Sequence, residues 1–167
     1  LIEVFRGAMW ENFHPVRLAA IEALGEMGGD KAVEVLVQAL RVPKPDKHPI
    51  VRIEAVKALA YIGGDKAAKA LIEVFRGPLR DTFHPVRAAA IEALAQIGGG
   101  TAVEALIGAS RGPIWDSHPL VRRAAISALG EIGGDEAVGA LIEVIRGPEP
   151  DPFHCARLAA IEALGEI

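Results

Sequence analysis

Between residues 30 and 41, the apolar side chains of Ala32, Val33, Leu36, Ala39 and Leu40 recur at spacings of three and four. That period places them on one stripe and predicts an amphipathic helix. Asp30 reads as its N-cap, because a carboxylate there can accept from the free amides of the first turn. A stretch rich in Pro and Asp, Val42 to His48, breaks the helix. A second helix is predicted from Pro49, a good first-turn residue, to Ile62. Gly63 and Gly64 then supply a left-handed stop and a tight turn. No stretch alternates with period two, so no strands are expected.

The same pattern returns every 35 residues. Glycine pairs begin at Gly28, Gly63, Gly98 and Gly133, and the string Arg17 to Glu26 recurs unchanged from Arg157 to Glu166. Five units follow, approximately 1–27, 28–62, 63–97, 98–132 and 133–167, forming one domain over residues 1–167. One helical hairpin cannot bury its apolar stripes alone, whereas stacked copies make a continuous core. The predicted fold is all-α, an α-solenoid of five helical hairpins. A weaker period of 70 overlies the first. Odd units read Phe13-His14-Pro15-Val16-Arg17 and Phe83-His84-Pro85-Val86-Arg87. Even units read His48-Pro49-Ile50-Val51-Arg52 and His118-Pro119-Leu120-Val121-Arg122, so alternate loops should differ in shape.

Leu1 aligns with Leu36, and Ile167 falls one residue short of the next expected glycine. We read the chain as a piece of a longer array. Neither end carries a polar capping repeat, so the apolar faces of the outer hairpins should be exposed and prone to self-association.

Composition narrows the function. Of the residues, 51% are hydrophobic but only 5% aromatic, so the core must be aliphatic. A formal charge of -4 argues against a nucleic-acid partner, which normally demands a basic excess. The single cysteine, Cys155, allows no internal disulfide and makes a cytoplasmic location the default expectation. Charges interrupt every apolar run, which excludes a membrane span. No cofactor is indicated, and Gly28-Gly29 follows a helix, so it reads as a turn and not a phosphate loop.

The string Pro-x-Val-Arg-x-x-Ala-x-x-Ala-Leu-x-x-Ile-Gly, at 49–63 and 119–133, resembles the HEAT-like repeats of the phycobilisome-lyase type. The resemblance covers essentially the whole chain. It implies a right-handed superhelix with first helices outside and second helices lining a concave face. It also implies a possible lyase-like handling of a linear tetrapyrrole. The units here are longer than is usual for that family, and odd units lack the residue between Pro and Val.

Several residue series invite a chemical reading. Arg17, Arg52, Arg87, Arg122 and Arg157 run parallel to the acids Glu11, Asp46, Asp81, Asp116 and Asp151. They can form an anion ladder, but every unit carries both members, which favours bidentate pairs locking one repeat to its own or the next unit's loop. His14, His48, His84, His118 and His154 precede the second helices. Hairpins stacked about 10 Å apart should spread these imidazoles along a ridge, too far apart to converge on one metal ion. Four of the five are followed by proline and none by glutamate, so capping or loop packing is the expected role. Cys155 stands where other odd units have proline, with neither a base beyond His154 nor an oxyanion donor indicated. No catalytic or metal residue is assigned.

The positions that vary between copies mark candidate binding surfaces. On the second helices, three columns should face away from the core. The first is Leu18, Ile53, Ala88, Arg123 and Leu158; the second Glu22, Lys57, Glu92, Ser127 and Glu162; the third Glu26, Tyr61, Gln96, Glu131 and Glu166. The loop tips offer Trp10, Arg80 and Trp115, either as partner anchors or folded back over their own loops. The function expected is a non-enzymatic scaffold for a protein partner or for its own copies, with chromophore handling as the alternative.

Overall fold

The computed structural model describes residues 14–40, 46–76, 80–111, 118–147 and 155–167. Among these residues all regular structure is helical. The helices are α1 (His14–Met27), α2 (Gly29–Leu40), α3 (Pro49–Ile62), α4 (Gly64–Phe75), α5 (His84–Ile97), α6 (Gly100–Ser110), α7 (Pro119–Ile132), α8 (Gly134–Arg146) and α9 (Cys155–Glu166). Odd-numbered helices stand in the second-helix register of the repeat. They pack on one another in an unbroken row, α1 on α3, α3 on α5, α5 on α7 and α7 on α9. The first helices of successive hairpins touch far less. The row of second helices therefore takes the inner arc of the stack, and the chain is an all-α solenoid of helical hairpins.

The core is aliphatic apart from Phe75, in keeping with the composition. Leu24, Leu59, Leu94 and Leu129 form one buried column on the second helices, and Leu36, Leu71, Leu106 and Leu141 a matching one on the first. Complete burial of each such side chain contributes about 2–3 kcal/mol. Alanines fill the space between second helices. Where the column holds glycine the helices close further: a Cβ built on Gly130 would lie 2.7 Å from Ala163 Cβ and 3.2 Å from its Cα.

Two local expectations are corrected. The turn glycines do not adopt the ordinary left-handed helical conformation. Gly63 combines φ 69° with ψ -165°, and Gly98 and Gly133 are nearly identical. That region is essentially reserved for glycine. It lets the Gly63 amide donate to Leu59 O at 2.9 Å while the next glycine, φ 80°, turns the chain straight into α4. For the same reason Asp30 is not a cap. The first helix begins at Gly29, one residue earlier, and Asp30 lies in its first turn. A carboxylate there still complements the helix dipole, and it pairs with Lys66 of the following hairpin, holding that ammonium above its ordinary pKa.

Candidate interaction surface

The site begins with what fixes one hairpin against the next. The two described loop acids that precede a second helix, Asp46 and Asp81, are buried nodes. The Asp81 amide donates to Val74 O at 2.7 Å, tying the loop to the end of α4. Its carboxylate accepts from Phe83 N at 2.8 Å, at the start of α5. The remaining oxygen capacity goes to Arg52 of the preceding unit, whose Nε and Nη2 donate at 2.6 and 3.0 Å. Arg52 also reaches its own loop, donating from Nη1 to the Asp46 carbonyl at 2.5 Å. Arg17 and Asp46 repeat the pairing one unit earlier, at 2.6 Å. Arg87 donates to Asp81 O, Arg122 to Ser110 O and Arg157 to Gly147 O. Their carboxylate counterparts in the same register, Asp116 and Asp151, lie outside the described residues, as does Glu11. Buried with their charges and hydrogen bonds matched, Arg52 and Asp81 form a clamp between repeats; neither is presented to a ligand.

The four described histidines stack in pairs and are not spread singly along a ridge. His14 stacks on His48 with ring centroids 4.7 Å apart, and His84 on His118 at 3.7 Å. The backbone spacing was a sound premise, but two side chains leaning toward each other close most of that gap. The pairing follows from the 70-residue period. In odd units the histidine is the first residue of the helix, whereas in even units it is the N-cap, one position earlier. That offset brings odd histidines onto the next even ones. His118 also caps its helix, accepting from Leu120 N at 3.3 Å. No cluster of three or more metal-ligating side chains occurs among the described residues. His154 lies outside them, and Cys155 opens α9 at an exposed position.

The same odd-to-even junctions carry two grooves on the inner face. Between α1 and α3, a groove of about 710 Å³ is lined by Leu18, Glu22, Glu26, Ile50, Lys57 and Tyr61, among others. Between α5 and α7, a groove of about 510 Å³ is lined by His84, Ala88, Glu92, Leu120, Arg123 and Glu131, with Ser127 on its wall. Two of the three varying columns are exposed throughout: Glu22, Lys57, Glu92, Ser127 and Glu162, and Glu26, Tyr61, Gln96, Glu131 and Glu166. In the first column Leu18, Ile53 and Ala88 are half-buried, while Arg123 and Leu158 are exposed. Ile50 and Leu120, one turn further toward the helix start, join each groove as exposed apolar side chains. The helical period of one face does not point to these two, because a groove is made by two helices. They occupy the extra position after Pro in even units, which was the available signal.

Of the loop residues, Arg80 is exposed, and Trp10 and Trp115 lie outside the described residues. Among the described residues no helix is long and apolar enough to cross a membrane.

A stack of helical hairpins clamped by buried Arg–Asp pairs defines an α-helical repeat protein. The HEAT repeats family model matches residues 11–81, 44–117 and 114–167, and the chain belongs to that family. No curated protein sequence matches it significantly. Among solved structures, the complex of CpcE and CpcF of phycocyanin lyase from Nostoc sp. is similar, with a TM-score of 0.64 at 20% identity over 98% of this chain and 97% of that one. Human deoxyhypusine hydroxylase, in complex with glycerol, has a TM-score of 0.62 at 23% identity. That match covers 99% of this chain, which spans 61% of the hydroxylase. An engineered protein gives 0.51 at 27% identity, over 99% of this chain and 47% of that one. The likeness to the lyase and the hydroxylase is one of fold.

Proposed function

We propose that this chain is a non-enzymatic scaffold that binds a protein partner on the inner face of its solenoid. The observation that carries this reading is the pair of exposed grooves in which apolar side chains lie beside carboxylates. Ile50 and Tyr61 in one groove and Leu120 in the other are exposed beside charged neighbours, a combination suited to association. The loop tips are a second contact region in this reading.

A display selection of binders from a library of helical peptides tests it. Leu18→Ser combined with Tyr61→Ala should abolish recovery of most binders, while Arg80→Ala should leave it intact. Binders lost only on changing the loops would overturn the inner-face assignment.

The scaffold reading includes self-association of this chain through the apolar side chains exposed on α9. Ile161 is 56% exposed in a column where Ile21, Val56, Ile91 and Ile126 are at most 1% exposed. Light scattering on the purified chain should show concentration-dependent dimers that Ile161→Glu removes; a strict monomer at high concentration overturns it.

The alternative is chromophore handling, as the likeness to phycocyanin lyase suggests. Titration with a linear tetrapyrrole distinguishes the two, because a bilin held in the α1–α3 groove would shift its absorbance and an unbound one would not.

A further inference from the structure

We infer that the inner-face partner is a basic amphipathic helix that bridges both grooves, an inference that rests on the reading above and names its ligand class. Five carboxylates line the two grooves (Glu22, Glu26, Glu54, Glu92 and Glu131), against Lys57 and Arg123. Three of the chain's net four negative charges are therefore concentrated there. Lys57 is already engaged, donating to Glu54 at 2.7 Å. The other four glutamates form no ion pair among the described residues and stand exposed beside apolar side chains. Each groove thus offers an apolar floor, Leu18 and Ile50 in the first and Leu120 with Ala88 in the second, beside two carboxylates that outnumber the one cation on its lining, Lys57 in the first and Arg123 in the second. A nucleic acid or an anionic membrane would be repelled. A segment carrying Leu or Ile on one side and Lys or Arg at its flanks satisfies both parts of the surface, steered in by charge and held by apolar contact.

The spacing of the grooves sets the length of that segment. They lie two hairpins apart, about 20 Å at roughly 10 Å per packed helix. A helix rises about 1.5 Å per residue, so two basic–apolar clusters about 13 residues apart would seat in both grooves at once. Engaging two equivalent sites on one ligand raises affinity well above that of either alone.

Four synthetic helical peptides of equal length, added to the full chain and followed by fluorescence anisotropy at low and high salt, test the inference. They carry Lys at the flanking positions, Glu there, Gln there, or the Lys composition with the apolar residues scrambled. The amphipathic Lys peptide should bind, weaken with salt, and lose about tenfold or more on Glu22→Lys with Glu26→Lys, as expected when a close charge pair is reversed. Shortening it to one cluster should cost a further large factor. Glu92→Gln, a gentler change at an exposed site, should weaken binding without any change in fold. Equal binding of the Gln or Glu peptide, or of the scrambled one, overturns the inference. If such binding is still abolished by Leu18→Ser with Tyr61→Ala, the inner-face reading stands and only its charge preference falls. If no peptide binds and the display selection yields loop-dependent binders alone, both fall.

Discussion

Ile126 on α7 and Ile161 on α9 are the same residue at the same position of the repeat, yet the first is fully buried and the second 56% exposed. Their local sequences both read as amphipathic helix, and both helices form. What differs is that α7 has a second helix packed on each side, α5 and α9, whereas α9 packs on α7 and on its own hairpin partner α8. Burial in this protein is therefore a property of stacking and not of the individual hairpin, as expected where stability is a sum of repeat and neighbour terms.

The sharpest test of that contrast is at the clamp between repeats. Asp81→Ala leaves Arg52 buried without its carboxylate and should cost about 3–5 kcal/mol, whereas Arg157→Met, removing a half-buried arginine's bond to the Gly147 carbonyl, should cost only about 1 kcal/mol. Urea denaturation of both variants measures the difference, and equal midpoints would show that the buried pair does not hold the stack.

The isoleucines themselves come next. Ile126→Ala should lower stability by about 3 kcal/mol through lost burial and the cavity left behind. Ile161→Ala should cost less than about 1 kcal/mol in the monomer, since exposed sites away from special features change stability little. A large loss at Ile161 would mean that something covers it in solution, and repeating the melt at several protein concentrations would reveal a second copy doing so.

The smallest effect, and one of opposite sign at the two positions, concerns Gly130 and Gly165. Alanine at Gly130 would press on the Ala163 backbone, so α7 and α9 must separate and stability should fall by about 1–3 kcal/mol. Nothing lies within 4 Å of a Cβ at Gly165, so alanine there should stabilise by about 0.5 kcal/mol through helix propensity alone. Thermal melts of the two variants shifting in the same direction would contradict the close approach at the α7–α9 junction.

Much of this was legible along the chain. The glycine pairs marked every turn because two successive positive-φ residues admit little else, and the parallel Arg and Asp series announced a repeated pairing. Two of the three inner-face columns were readable from helical period, since their side chains need only avoid the core, whereas Leu18 and Ile53 of the remaining column pack partly against it. The histidine stacks were not legible, because centre-to-centre helix spacing says nothing of how far side chains lean. Ile50 and Leu120 were missed for the same reason: a groove belongs to two helices at once.

The residue pattern by itself determined the hairpin, its period and the largely aliphatic core, since each follows from local spacing and composition. Only the tertiary stack decided which carboxylate each arginine takes, which apolar residues stay wet and where the grooves open. Those depend on distances between helices from different repeats, which no single repeat encodes.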